Sequence, residues 1–182
     1  LSFVRQYPEW RKAKVPRLFA DASYLSRWTE DLRFAKKEEL FPVTNVSWFA
    51  ARAYCESQNA RLPTIAEWEY FADTQSAAYE EAALRWFEKA GEALRPVGQS
   101  KPNRFGLTDT SALVWEWVED FSSVFMAGDA RDNDSAKGMF CGGAALGAKD
   151  PRLYAAFMRY AFRSSLKASY TSPTLGFRCV KD

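Results

Sequence analysis

The segment Asn103–Asp120, NRFGLTDTSALVWEWVED, constrains the fold more than any other stretch of the sequence. Gly106 gives the backbone a position without a Cβ atom, and the small polar residues that follow it favour a turn. Over Leu113–Trp117 aromatic side chains then occupy alternate positions with an acid between them. Such alternation is typical of a half-buried strand or of a tight turn, and the sequence leaves both structures as alternatives.

The same turn carries oxygen atoms that can converge on one hard cation. Two side-chain carboxylates and two main-chain carbonyls are spaced to do so, from Asp109, Glu116, Ala112 and Val114. Because calcium takes about six to eight oxygen ligands, the pattern predicts a calcium site. The alternative is a tryptophan-rich core turn in which Glu116 forms a local salt bridge.

Composition indicates one packed domain. A chain of 182 residues with 47% hydrophobic residues is large enough and apolar enough to bury a substantial core. The net charge of +2 is too close to balance to imply nucleic acid or a membrane surface as the partner. No apolar run approaches the roughly 18 residues of a membrane-spanning helix, and no signal peptide is visible.

The sequence contains no histidine. This excludes His-ligated iron, zinc or copper within this chain, together with any Ser–His or Cys–His nucleophile.

Apolar spacing and capping residues predict four helices. The first covers Leu1–Trp10, and the second runs from its cap at Ser47 to about Gln58. The third follows Thr64, which forms a capping box with Glu67, and the fourth covers Tyr79–Ala90, where Gly91 is placed to end the helix.

Several motifs stand in a characteristic order along the chain: Pro42–Cys55, Arg61–Tyr70, Pro102–Trp117, the pair Gly142-Gly143, and Gly176–Cys179. This order resembles the formylglycine-generating-enzyme family, also called the sulfatase-modifying-factor family. The resemblance implies an α+β domain with the C-type-lectin-like fold, few regular elements and much loop. We expect a single domain over residues 1–182, without the N-terminal strand of the usual domain, because Leu1–Val4 resembles the middle of the family's first helix.

The resemblance also implies the covalent and metal-binding features of the domain. It pairs Cys55, on the inner face of its helix, with Cys179 in the last strand, and a disulfide favours an oxidising, extracytoplasmic compartment such as the periplasm. The alternative is two buried thiols. One calcium site of the family is lost because Tyr79–Ala90 replaces its loop. The other corresponds to the ligand set Asp109, Ala112, Val114 and Glu116.

The sequence departs from the active members of the family after Gly142-Gly143. In those members a Ser follows the glycines, and two cysteines shortly afterwards bind Cu(I) as thiolates. Here Ala144 follows, and no cysteine occurs between Cys141 and Cys179. We expect Cys141 to be a small buried hydrophobe or, alternatively, a reactive thiol. Because one thiol does not form a two-coordinate copper site, we expect neither copper nor formylglycine formation.

The resemblance places a substrate groove over a basic and aromatic segment, with Arg152, Tyr154, Arg159, Tyr160, Arg163 and Ser164 as candidate groove residues. Guanidinium groups and rings of this kind can bind an anionic or aromatic ligand. The alternative is that Arg159 and Arg163 tie acidic residues to the core.

Three functions follow as hypotheses. The first is an exported binding or accessory protein of the family, with a protein partner or a small ligand, active for example in maturing a metalloenzyme or a reductase. The second is a divergent oxidoreductase or tailoring enzyme that uses the groove near Glu116 and Arg163. The third is lectin-like ligand binding at a calcium site. The first is preferred because the scaffold motifs are present and the copper cysteines are not.

Overall fold

The computed structural model of the chain describes residues 1–89, 93–122 and 151–182. Within these ranges it has five α-helices and two short strands: α1 (Ser2–Gln6), α2 (Trp48–Ser57), α3 (Ile65–Phe71), α4 (Ala77–Glu88), β1 (Trp115–Trp117), α5 (Pro151–Ser164) and β2 (Leu175–Phe177). Two 3₁₀ turns, Pro8–Trp10 and Lys36–Glu38, lie among the loops. This mixture of helices, a small sheet and much loop is compatible with the predicted α+β class.

The helix starts follow the predicted capping residues. The Ser47 hydroxyl accepts a hydrogen bond from the Ala50 amide at 3.2 Å and begins α2. Thr64 and Glu67 bond each other's backbone amides at 2.8 and 3.2 Å, which is the reciprocal capping box expected before α3. The predictions for both helix starts are confirmed.

Two predicted helices differ from the structure at their ends. The helix predicted over Leu1–Trp10 divides into α1 and a 3₁₀ turn that begins at Pro8, because proline has no N–H to continue the helical hydrogen bonds. The helix predicted from Tyr79 begins two residues earlier, because the Ser76 side chain accepts from the Tyr79 amide and caps it. The predicted stop at Gly91 lies outside the described residues.

The strand alternative applies to the Trp-rich segment. β1 and β2 pair in parallel, with Glu116 opposite Gly176. Trp117 is completely buried, and its indole N–H donates to the Val46 carbonyl at 2.9 Å. A Cβ atom on Gly176 would lie 2.9 Å from the Val43 carbonyl oxygen, so glycine permits the close approach of the neighbouring backbone.

The C-terminal segment 168–180 is hydrogen-bonded to distant parts of the chain. Its carbonyls accept from the backbone amides of Asp21, Asn45, Trp48 and Trp115 at 2.8 to 3.0 Å. Val180 pairs with Arg61 in an isolated antiparallel bridge. The prediction that Cys179 lies in the last strand is corrected, because β2 ends at Phe177 and Cys179 follows it in an extended stretch beside this bridge.

The core lies where α2, α3 and α4 meet the two strands, and its fully buried side chains include Cys55, Leu62, Trp117, Val118 and Leu175. α4 packs against α5. Among the described helices, none combines the length and the apolar character that crossing a bilayer requires.

Candidate functional site

The cysteines decide what redox chemistry the chain can offer. Cys55 on α2 and Cys179 after β2 form the predicted disulfide, with 5.5 Å between their Cα atoms. Because the sequence has 3 cysteines, this bond leaves Cys141 as the remaining thiol, and Cys141 lies outside the described residues. A two-thiolate copper site therefore does not fit the cysteines of this chain. In the ranges that the structure describes, no group of three or more His, Cys, Asp or Glu residues is arranged to hold a metal.

The predicted groove residues lie on α5, and its inward face carries two arginines. Ala155, Arg159 and Arg163 recur at every fourth position and are all buried. Both guanidinium groups bind the carboxylate of Glu69 on α3. Arg159 donates from Nε and Nη2 at 3.0 and 2.8 Å, and Arg163 donates from Nη1 at 2.9 Å. One carboxylate thus binds two guanidinium groups inside the domain.

Aromatic rings cover this ion cluster. The Arg163 guanidinium lies 4.6 Å from the ring centre of Trp68, and that of Arg159 lies 5.1 Å from the ring centre of Tyr79. Burial alone would raise the pKa of Glu69, but the hydrogen bond from Arg159 and the charges of both arginines outweigh it and lower the pKa. These contacts match the interpretation in which the two arginines tie an acid to the core.

Tyr154, another of the predicted groove residues, lies at the edge of an aromatic wall that Trp86, Phe87, Trp115 and Phe162 form between α4 and α5. Tyr154 meets Phe87 edge to face at 6.4 Å, and Tyr160 is half-buried. The Ser164 hydroxyl donates to the Ala161 carbonyl at 2.9 Å within its own helix. The side chain of Arg152 lies outside the described part of the chain. Of the six predicted groove residues, the structure therefore brings two tyrosines to a half-buried surface.

Sequence reasoning missed the main components of this wall. Trp115 stacks on Phe162 at 4.5 Å and on Phe87 at 5.6 Å, and Trp86 meets Trp115 at 5.1 Å. Trp86 and Phe87 come from α4. Their helical spacing was visible in the sequence, but their position opposite Trp115 depends on the packing of α4 against α5.

Glu116 is enclosed by hydrogen-bond donors. Arg178 forms a two-point ion pair with it, from Nε to Oε2 and from Nη2 to Oε1, both at 2.7 Å. The Trp68 indole N–H donates to Oε2 at 2.8 Å, and Glu116 is 8% exposed. Glu116 thus forms the salt bridge of the alternative to calcium, but it does so from strand β1, and its partner Arg178 is 62 positions away. Donors thus contact both carboxylate oxygens of Glu116, which supports a structural role for this side chain.

Asp109 lies in a second, separate cluster. Its backbone is in the left-handed region at φ +58°, and its carboxylate accepts from Arg95 Nη1 at 3.0 Å, from the Ser100 amide at 3.2 Å and from the Gly98 amide. Burial would raise the pKa of Asp109, but the Gly98 amide and the Arg95 guanidinium lower it instead.

The predicted calcium ligands contact other groups of the protein. Asp109 and Glu116 belong to different ion pairs, with Arg95 and Arg178 respectively. The Ala112 carbonyl accepts from Arg95 Nη2 at 3.2 Å. N–H donors contact the oxygen atoms of Asp109, Ala112 and Glu116, three of the four predicted ligand residues. As these three lie, they do not fit a calcium ion.

The motifs that meet at the disulfide and at the strand pair are those that resemble the formylglycine-generating-enzyme family. The family model described as the sulfatase-modifying factor enzyme 1-like domain matches residues 20–182. The chain belongs to this family.

Individual relatives agree with the family assignment. The chain is 33% identical over 168 residues to the formylglycine-generating enzyme of Streptomyces coelicolor, covering 78% of this chain and 52% of that protein. It is 32% identical over 159 residues to the inactive C-alpha-formylglycine-generating enzyme 2 of Bos taurus, covering 77% and 50%. It is 30% identical over 154 residues to the serine/threonine-protein kinase pkn1 of Chlamydia pneumoniae, covering 78% and 24%. The chain thus spans about half of the first and second of these relatives and a quarter of the third.

Proposed function

We propose that this chain is a binding domain that does not form formylglycine. The observation that carries the proposal is the Cys55–Cys179 disulfide, because it leaves the chain with one cysteine where Cu(I) needs two thiolates. The names of its relatives support a scaffold used in more than one way, since one is called inactive and another is called a kinase. We assign the domain the C-type-lectin-like fold that its motifs imply.

The proposed role is that of an exported accessory protein, for example in the maturation of a metalloenzyme or a reductase. The disulfide supports an oxidising compartment. Arg159 and Arg163 support a structural use of that region, because Glu69 binds both of them inside the domain. What remains for a partner is the aromatic wall with Tyr154 at its edge, together with the half-buried Tyr160 on α5.

A turnover assay tests the lack of formylglycine formation. The chain is incubated with Cu(I), reductant and oxygen, together with a cysteine peptide that the Streptomyces coelicolor formylglycine-generating enzyme converts. We expect no aldehyde above the enzyme-free blank by mass spectrometry, because the second copper thiolate is missing. The Streptomyces enzyme in parallel shows that the peptide and the copper are competent. Copper-dependent aldehyde formation by the chain would refute the proposal.

A separate enrichment experiment tests the accessory role. The chain is used as bait with the extracytoplasmic fraction of the cells that encode it, beside a Tyr154→Ala/Tyr160→Ala variant. We expect a partner protein that wild type recovers at least about tenfold better than the variant, the effect of losing about 1.4 kcal/mol of binding energy at an aromatic contact.

Tyr170→Ala is the matched control for this enrichment, because Tyr170 is 44% exposed and lies beyond α5. It should recover the same partner as wild type. If the double variant recovered the partner as well as wild type, Tyr154 and Tyr160 would not be part of the binding surface. Failure of wild type to enrich any partner would contradict the accessory role, while the turnover assay would remain a separate test of catalysis.

A further inference from the structure

Arg95 lies outside the motifs that resemble the family, yet its side chain reaches the predicted calcium ligands. Its guanidinium donates from Nη1 to the Asp109 carboxylate at 3.0 Å and from Nη2 to the Ala112 carbonyl at 3.2 Å. Asp109 and Ala112 are two of the four residues whose oxygens were predicted to converge on calcium. One side chain therefore joins the same side-chain and main-chain oxygens that a bound cation would join.

The surroundings of Asp109 are arranged to complete this contact. Asp109 is 5% exposed, and the Gly98 and Ser100 amides donate to its carboxylate beside Arg95. A metal ion binds oxygen lone pairs, whereas these N–H groups occupy them. The segment from Arg95 to Ser100 thus supplies a charge and two backbone donors to one buried acid.

The local charges balance without a metal. Asp109 and Glu116 contribute two negative charges, and Arg95 and Arg178 contribute two positive charges in ion pairs of 3.0 and 2.7 Å. The negative charge of Asp109 also interacts with the Arg178 guanidinium. A divalent cation at this turn would meet two guanidinium groups at short range, and like charges repel.

We propose that the Arg95 guanidinium replaces a calcium ion at the Asp109–Glu116 turn. The fork of Arg95 fixes the turn through two acceptors at once, which a planar guanidinium does with defined geometry. The turn leads directly into β1, so Arg95 holds the strand that carries Glu116 and Trp117. The domain is accordingly stable without calcium, and this inference does not depend on the proposed accessory function.

Thermal melts and calcium titration of the whole chain test the proposal. For wild type we expect the same melting temperature in EDTA and in millimolar CaCl₂ and no heat of calcium binding. An occupied calcium site would instead raise the melting temperature by about 5–10 °C at a hundredfold excess over Kd. Calcium-dependent stabilisation of wild type would therefore overturn the proposal.

The Arg95→Ala variant tests the exchange of one cation for the other. In EDTA we expect its melting temperature to fall by roughly 3–10 °C, because a largely buried carboxylate loses its counter-charge. Calcium should bind this variant and restore at least about half of the loss, since the acidic turn is then open to a cation. If Arg95→Ala melted at the same temperature as wild type in EDTA, or if calcium did not raise its melting temperature, the proposal would be contradicted.

Two further variants control this experiment. Arg85→Ala removes an arginine from an exposed ion pair with Glu81 and should change neither the melting temperature nor its response to calcium. Arg95→Lys keeps the charge but not the two-point fork, so its melting temperature should fall less than that of Arg95→Ala. If Arg95→Ala does not fold, Arg95→Lys provides the test in its place. Equal melting temperatures of Arg95→Lys and wild type would contradict the role of the two-point contact.

Discussion

Replacing both disulfide cysteines, in a Cys55→Ala/Cys179→Ala variant, is expected to lower the free energy of unfolding by about 4–5 kcal/mol. The bond joins residues separated by 124 positions, so its removal frees a long stretch of chain in the unfolded state. Alanine is chosen because Cys55 is completely buried and a serine hydroxyl would add a desolvation cost of its own. Urea unfolding followed by circular dichroism measures the change. A loss below about 1 kcal/mol would show that the bond does not constrain the unfolded chain.

Reductant provides the internal control for this measurement. Wild type in dithiothreitol should lose about the same stability as the double variant, whereas the double variant itself should not respond to dithiothreitol. Response of the double variant would assign the effect of reductant to Cys141 and not to the Cys55–Cys179 bond. Single alanine variants would expose the partner thiol and are therefore less suitable for the comparison.

Replacing Glu69 by glutamine is expected to destabilise the domain by about 3–5 kcal/mol, because it leaves two buried guanidinium groups without their anion. Arg159 and Arg163 have side chains that are 7% and 5% exposed, so water replaces little of the lost interaction. Glutamine keeps the size of the side chain and changes its charge alone. The free energy of unfolding in urea is the measurement, and a change below about 1 kcal/mol would contradict the view that the cluster holds α3 against α5.

The pH dependence gives a second measure of the same carboxylate. Because the folded-state pKa of Glu69 is lowered, its ion pairs contribute fully above the ordinary pKa of glutamate. The contribution is lost as the pH falls through the lower folded-state pKa. The stability difference between wild type and Glu69→Gln should therefore narrow in acid and stay constant above neutral pH.

A matched charge removal shows whether the effect of Glu69→Gln depends on burial. Glu81→Gln deletes the anion of the exposed Glu81–Arg85 pair on α4, whose side chains are 69% and 59% exposed. Such pairs contribute about 0.3–0.5 kcal/mol on a helix, so the control should remain close to wild type. If the two variants were equally destabilised, burial would not explain the result for Glu69.

Local sequence signals predicted the local structure. The caps of α2 and α3 could be identified because a hydroxyl three residues before an amide it bonds is a short-range pattern. The disulfide followed from family resemblance and not from the residues alone, since three cysteines leave more than one pairing open. The class of the fold was accessible for the same reason, through motifs whose order along the chain is specific.

Tertiary electrostatics could not be predicted in the same way. Arg95 lies 14 positions before Asp109 and outside the recognised motifs, so nothing in its local sequence distinguishes it from a solvated arginine. Glu69 lies inside the motif Arg61–Tyr70, but its two arginines are 90 and 94 positions away. The inward face of α5 could be recognised from the sequence, because Ala155, Arg159 and Arg163 follow helical spacing. That spacing does not show which acidic residue pairs with the two arginines.

The hydrogen bonds of segment 168–180 also determine when the domain can complete its fold. This segment bonds to Asp21, Asn45, Trp48, Arg61 and Trp115, all of which are synthesised before it. Until it leaves the ribosome, β1 has no parallel partner and Cys55 has no Cys179 to oxidise with. Contacts of such high contact order slow folding and leave earlier parts of the chain exposed to aggregation.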